Sequence, residues 1–210
     1  MAESVPNCQI RAVIFDLGKV LIPFDFMRGY KLLQPMCRYP VEEIRRRIGA
    51  TGLVPLFESG KIEARDFVRR LGDALDTPLE YDDFCEIWSA IFLPETLIPE
   101  SWIAAIRRKY RLVLLSNTNA IHFAMLEKAY PILSHFDARI LSHEVGAMKP
   151  SPIVYQRAVE AACCRAEECF FTDDIPEYVE AARQYGLDAV QFVSADQIRA
   201  ELAKRNVTWD

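Results

Sequence analysis

The sequence predicts an α/β fold: a three-layer, Rossmann-like parallel sheet core with a small helical cap domain inserted after its first strand. Two observations carry that expectation. From residue 99 onward, short runs of strand-forming residues alternate with helical segments, the pattern of a parallel sheet covered on both faces. Between the first strand and that alternation, residues 26–98 show helical spacing and no strand-like run.

Taken in order, the first strand spans residues 10–15, and Asp16-Leu17-Gly18 releases it into a turn. An extended stretch containing Pro23 then leads to about Phe26. Within the insertion, Ala64, Phe67, Val68 and Leu71 recur at i, i+3, i+4, i+7, as do Phe84, Ile87, Trp88 and Ile91. Gly72 is expected to stop the first of these helices. Pro35, Pro40, Pro55, Pro78 and Pro94 divide the region into short helices. The expected domains are therefore 1–25 with 99–210 as the core and 26–98 as the cap.

After Pro99 the reading is helix 100–109, strand 111–115, helix 120–129 and strand 138–141. Helix 152–162 follows, with Ser151 as its N-cap and Pro152 at its first position. Strand 168–172, helix 176–185 with Gly186 beyond its end, strand 188–193 and helix 195–204 complete the chain.

Composition narrows the function classes. The 210 residues carry a net charge of -5, which argues against a nucleic-acid surface. Arg45-Arg46-Arg47 and Arg107-Arg108-Lys109 lie in helical segments and read as solvated faces. Residues 1–7 have neither a basic nor an apolar leader character, and no run reaches membrane-spanning length, so a cytoplasmic protein without a membrane partner is expected. Cys8, Cys37, Cys85, Cys163, Cys164 and Cys169 show no metal-ligand spacing and read as reduced thiols.

The chemistry concentrates where the strand runs end. Asp16 follows the first, Ser116-Asn117-Thr118-Asn119 follows the second, Lys149-Pro150 precedes a helix, and Asp173-Asp174 closes another strand. Adjacent carboxylates at a strand end repel one another, and a hard cation with oxygen ligands, such as Mg²⁺, relieves that. A cation beside Asp16 would also remove the charge repulsion that makes a carboxylate a poor nucleophile toward a phosphate dianion. Lys149 and the Ser116 hydroxyl would then hold the phosphoryl oxygens.

On these residues the sequence resembles the haloacid dehalogenase superfamily, over about residues 10–204, and within it the phosphatases with a helical cap after the first motif. Ile14-Phe15-Asp16-Leu17-Gly18, Leu114-Leu115-Ser116-Asn117, Lys149 before Pro150, and Phe171-Thr172-Asp173-Asp174 match its four motifs. The subgroup is similar to α-D-glucose-1-phosphate phosphatases and the phosphatase domain of soluble epoxide hydrolases. The resemblance implies that Asp16 is the nucleophile forming an aspartyl-phosphate, and that it binds Mg²⁺ with the Gly18 carbonyl and Asp174, Asp173 lying beside them, direct or through water. It implies that Ser116, Asn117 and Lys149 hold the phosphate of a small phosphorylated metabolite such as a sugar phosphate.

Three positions depart from the family pattern. Gly18 stands where most relatives carry a second Asp, the acid that protonates the leaving group and then activates water. Lys19 stands where many carry Gly or Asn, and Tyr178 where the subgroup usually has Asn. These departures keep two alternatives open: a catalytically impaired binding or regulatory protein, and a haloacid dehalogenase, which needs no metal. Phe24, Phe26 and Trp88 are candidates to line a pocket or to pack in the core. His122, His135 and His143 read as ordinary packing residues.

Overall fold

The computed structural model describes residues 9–209. Strands β1 (Ala12–Phe15), β2 (Arg111–Ser116), β3 (Ala138–Leu141), β4 (Cys169–Asp173) and β5 (Asp188–Gln191) form one parallel sheet in the order β3-β2-β1-β4-β5. Phe15 pairs with Leu114 on one side and Thr172 on the other. That register brings the residue after β1 level with the ends of β2 and β4.

Alternation along β1 sends Val13 and Phe15 to one face and Ala12 and Ile14 to the other. Val13 and Phe15 pack with Leu112 and Leu114 against Ile103 and Ile106 of helix α6 (Glu100–Arg107), Leu126 of α7 (Ala120–Ala129), and Ile198 and Leu202 of α11 (Ala195–Lys204). Ala12 and Ile14 pack with Val113, Leu115 and Phe171 against Val154 and Ala158 of α9 (Pro152–Ala162) and Val179 and Ala182 of α10 (Pro176–Tyr185). The sheet is thus the middle of three layers. Helix α8 (Ser142–Val145) lies between β3 and α9 and was not anticipated from the sequence, because one turn is too short to show a period.

Between β1 and α6 the chain forms α1 (Phe26–Leu33), α2 (Val41–Ala50), α3 (Leu53–Glu58), α4 (Ala64–Ala74) and α5 (Tyr81–Ser89). These helices share an apolar cluster, joined by Ile121 of α7, in which Phe67 stacks on Phe57 at 4.3 Å between ring centroids and meets Phe84 and Trp88 edge-on. Gly72 lies inside α4 rather than ending it, and a Cβ there would stand 2.8 Å from the Thr77 carbonyl. It is glycine so that the chain leaving the helix can fold back across it, and Thr77 N–H bonds the Gly72 carbonyl. Ser151 does occupy the N-cap position of α9, but its side chain makes no capping bond.

Two of the contacts between the helical insertion and the sheet layers lie beside the loop after β2. The His122 ring of α7 stacks on Trp88 of α5, its Nε2–H donates to the Trp88 carbonyl at 2.9 Å, and its Nδ1 accepts from Asn119 at 3.0 Å. At the second contact, Ser142 Oγ accepts from Thr118 N–H and donates to the Glu58 carbonyl. Beside it Gly60, at φ +65°, approaches so closely that a Cβ would stand 2.1 Å from the His143 carbonyl oxygen. Cys37, Cys85, Cys163, Cys164 and Cys169 are free thiols, and Cys8 lies outside the described residues. Arg46 and Arg47 pair with Glu43 on the surface of α2. Among the described residues no helix is long and apolar enough to cross a membrane.

His122 gives the fold a measurable pH dependence. Burial pushes its pKa down from 6.5 to about 4, while its bond to the Trp88 carbonyl opposes that. The unfolded chain takes up this proton near 6.5, so the stability tied to the neutral ring is complete above that pH and is lost as pH falls toward 4. The loss amounts to about 3 kcal/mol. Urea midpoints measured across this window should fall more steeply for the wild type than for His122→Gln, and equal slopes would contradict the assignment.

Candidate active site

Asp16 leaves β1 with its N–H bonded to the Thr172 carbonyl at 3.0 Å and its side chain buried at the carboxyl edge of the sheet. Lys149 reaches the same point. Its Nζ lies 2.6 Å from Asp16 Oδ1, 2.5 Å from Asp173 Oδ2 and 3.2 Å from the Leu115 carbonyl, one acceptor for each of its three N–H groups. The remaining oxygen of Asp173, Oδ1, accepts from Ile175 N–H at 2.9 Å. Both Asp173 oxygens therefore serve protein donors.

Lys149 is not carried by a strand end, contrary to the grouping that the sequence suggested. β3 ends at Leu141, and α8 and a short loop intervene before the lysine. Asn117 clamps it from the β2 loop: Oδ1 accepts from Lys149 N–H at 2.8 Å and Nδ2 donates to the Lys149 carbonyl at 3.1 Å. The Tyr178 ring lies 5.3 Å from Nζ, and its hydroxyl accepts from Asn117 Nδ2 at 3.4 Å. Tyr155, a fully buried residue of α9, donates its hydroxyl to the Tyr178 carbonyl at 2.8 Å. Tyr178 thus borders the lysine directly. Tyr155 and the Leu115 carbonyl went unnoticed in the sequence, since a helix-face aromatic and a strand backbone atom carry no mark of their position.

Burial dominates the electrostatics of the site. It drives the Asp16 carboxyl up to about 7, with Lys149 opposing and Asp173 adding to the rise. For Lys149, burial works against the charged form, but Asp16 and Asp173 outweigh it and hold its pKa above the ordinary lysine value. Asp174, half-buried, is raised by desolvation and then by Asp173, while Lys19 pulls it down.

Asp16, Asp173 and Asp174 each offer an oxygen within 4.8 Å of the other two. An all-oxygen, carboxylate-rich donor set of this spacing fits a hard divalent cation. The sequence-expected residues Asp16, Ser116, Asn117, Lys149, Asp173 and Asp174 thus gather at one edge of the sheet. Ser116 ends β2 beside them, buried, with a hydroxyl that bonds no described residue. Gly18 sits in the turn after β1, bridged to Ile22. No histidine enters this group: His135 pairs with Glu100, His143 bonds the Thr118 carbonyl, and His122 binds Trp88 and Asn119.

Comparison with known proteins accords with this geometry. The model of the haloacid dehalogenase-like hydrolases matches residues 10–186. The chain is 24% identical over 202 residues to the D-ribitol-5-phosphate phosphatase of Bacteroides thetaiotaomicron, covering 92% of this chain and 97% of that protein. It is 29% identical to a phosphatase of Mycobacterium tuberculosis, covering 90% of each. Among solved structures, a haloacid dehalogenase family enzyme of B. thetaiotaomicron in complex with magnesium and inorganic phosphate superposes with a TM-score of 0.78. That match is 24% identical and covers 88% of this chain and 95% of the other.

Asn117 is expected to be structural as well as functional, because its amide holds both backbone groups of residue 149. Asn117→Ala should lower the unfolding free energy by about 1–3 kcal/mol, the cost of leaving partly buried backbone groups without a partner. Urea denaturation measures this, and a change below about 0.5 kcal/mol, the ordinary range for surface substitutions, would argue against the clamp.

Proposed function

The chain belongs to the haloacid dehalogenase-like hydrolases, and on that premise we propose that it is a Mg²⁺-dependent phosphatase. It hydrolyses a small phosphorylated metabolite of the cytoplasm through an aspartyl-phosphate on Asp16. The observation that carries this reading is the buried Lys149 ammonium shared by Asp16 and Asp173, with Asp174 within ligand distance of both. The phosphatases among its relatives support the same reaction class. The relative named for D-ribitol 5-phosphate favours a polyol or sugar phosphate as substrate.

Asp16, Asp174 and the Gly18 carbonyl would hold Mg²⁺, which supplies charge neutralisation between the carboxylate and the phosphoryl group and favours ionised Asp16. The free oxygen of Asp16 attacks phosphorus as the bond to the ester oxygen breaks. Ser116 Oγ and the Asn117 N–H donate to the non-bridging oxygens and fix the group for in-line displacement. Lys149 balances the negative charge gathered there, and Asp173 orients Lys149. Water then attacks phosphorus, Asp16 departs as a carboxylate, and inorganic phosphate leaves. The acidic trio speaks against the dehalogenase alternative, which leaves Asp174 without a task.

A screen of small phosphate esters with and without Mg²⁺ tests this reading. Turnover should require the metal and disappear with chelator, and Asp16→Asn should lower kcat by about 10³-fold or more while the protein stays folded. Beryllium fluoride should be captured on Asp16. A wild-type protein inert toward the whole panel, or fluoride bound elsewhere, would overturn the assignment. Lys149→Met leaves two buried carboxylates facing one another and should cost about 3–5 kcal/mol of stability in urea denaturation, besides activity.

A further inference from the structure

Tyr178 departs from the family pattern, and its ring lies against the buried cation of the site. Lys149 Nζ stands over the Tyr178 ring at 5.3 Å from the centroid and over the Phe171 ring at 5.8 Å, both within the range in which a ring face attracts a cation. The lysine side chain is 1% exposed, so water does not compete for that attraction. Its three N–H groups are taken by Asp16, Asp173 and the Leu115 carbonyl, and the rings therefore act on a group whose hydrogen bonds are already spent. Tyr155 fixes both rings: its hydroxyl donates to the Tyr178 carbonyl at 2.8 Å, and its own ring meets Phe171 edge-on at 6.0 Å. The Tyr178 hydroxyl contributes less, because its contact with Asn117 Nδ2 at 3.4 Å is at the long limit of a hydrogen bond.

We propose that Tyr178 is a positioning residue whose ring face, together with Phe171, holds the Lys149 ammonium in place during phosphoryl transfer. The inference rests on the phosphatase reading. As the free oxygen of Asp16 bonds to phosphorus, the oxygen that faces Lys149 becomes an uncharged carbonyl oxygen and accepts a weaker hydrogen bond than the carboxylate did. The ammonium is then held less firmly on that side. A ring quadrupole attracts a cation without requiring any one N–H direction, so it supports the ammonium while the tie to Asp16 weakens. Phe171 is fixed by its strand, and Tyr178 supplies the nearer face.

The electronic character of the ring separates this role from packing. Tyr178→Phe keeps the ring face and should leave kcat and KM within about 2-fold of the wild type, whereas Tyr178→Leu should lower kcat by about 10-fold with KM little changed. Fluorinated phenylalanines at position 178 keep the shape of the ring and drain its negative face. With them, kcat for the ester of the Mg²⁺ panel that the wild type hydrolyses fastest should fall stepwise from phenylalanine through one, two and three ring fluorines. A flat series, equal losses in Tyr178→Phe and Tyr178→Leu, or a rise in KM alone would overturn the inference and leave the phosphatase reading standing. A wild type inert toward the whole panel would overturn the two together.

Discussion

Everything at the carboxyl edge of the sheet depends on one buried cation. The Lys149 ammonium is removed from water and held between two carboxylates and a backbone carbonyl. In so apolar a setting neither charge is tolerable alone: Asp16 without Lys149 would remain protonated, and Lys149 without the carboxylates would lose its proton. The arrangement is therefore all or nothing, and it requires β1, β2, β4 and the loop before α9 to be in place together. Asn117, Tyr178 and Tyr155 make sense as parts of that requirement, since they link the loop carrying Lys149 to β2, α10 and α9.

The same crowding shows in the different surroundings of the two acidic neighbours. Asp173 is the last residue of β4, fully buried, with its oxygens committed to Lys149 and to the first turn of α10. Asp174, one residue later, has left the strand and turns toward solvent, where it is available to a metal ion. The turn after β1 is similarly close-packed. Phe24 packs against the bare Gly18 backbone, and the Lys19 ammonium lies 5.1 Å from the centroid of the same ring.

The helical insertion bears on the site through its seams with the sheet layers. His122 lies in the first turn of the helix that follows the Ser116 loop, and it holds Trp88 of the insertion by a stacked ring and a hydrogen bond. Ser142 and Gly60 form the second seam, next to Thr118 of the same loop. Both seams therefore converge on the segment expected to grip phosphate, so a shift of the insertion would be felt there first. Burial keeps His122 neutral, and a proton on Nδ1 would break its bond from the Asn119 amide while leaving the one to the Trp88 carbonyl.

Much of this was legible in the chain itself. Alternation of strand and helix, the helical texture of residues 26–98 and the carboxylate, hydroxyl and lysine positions were all readable, because periodicity and turn chemistry are local properties of sequence. Helices α7, α9, α10 and α11 fall where their caps and apolar spacing place them. The errors were also local in origin: Gly72 looked like a helix stop because the fold-back contact that accommodates it comes from Thr77 beyond the helix end. What only the tertiary structure decided is which neighbours each side chain meets. Register across β1, β2 and β4 and the Asn117 clamp join Asp16, Lys149 and Asp173, which are more than a hundred residues apart at the extremes. It also decides that Phe24 closes the space beside Gly18 and that Lys19 stands over it, since burial and charge proximity belong to the assembled layers and leave no trace in the order of residues.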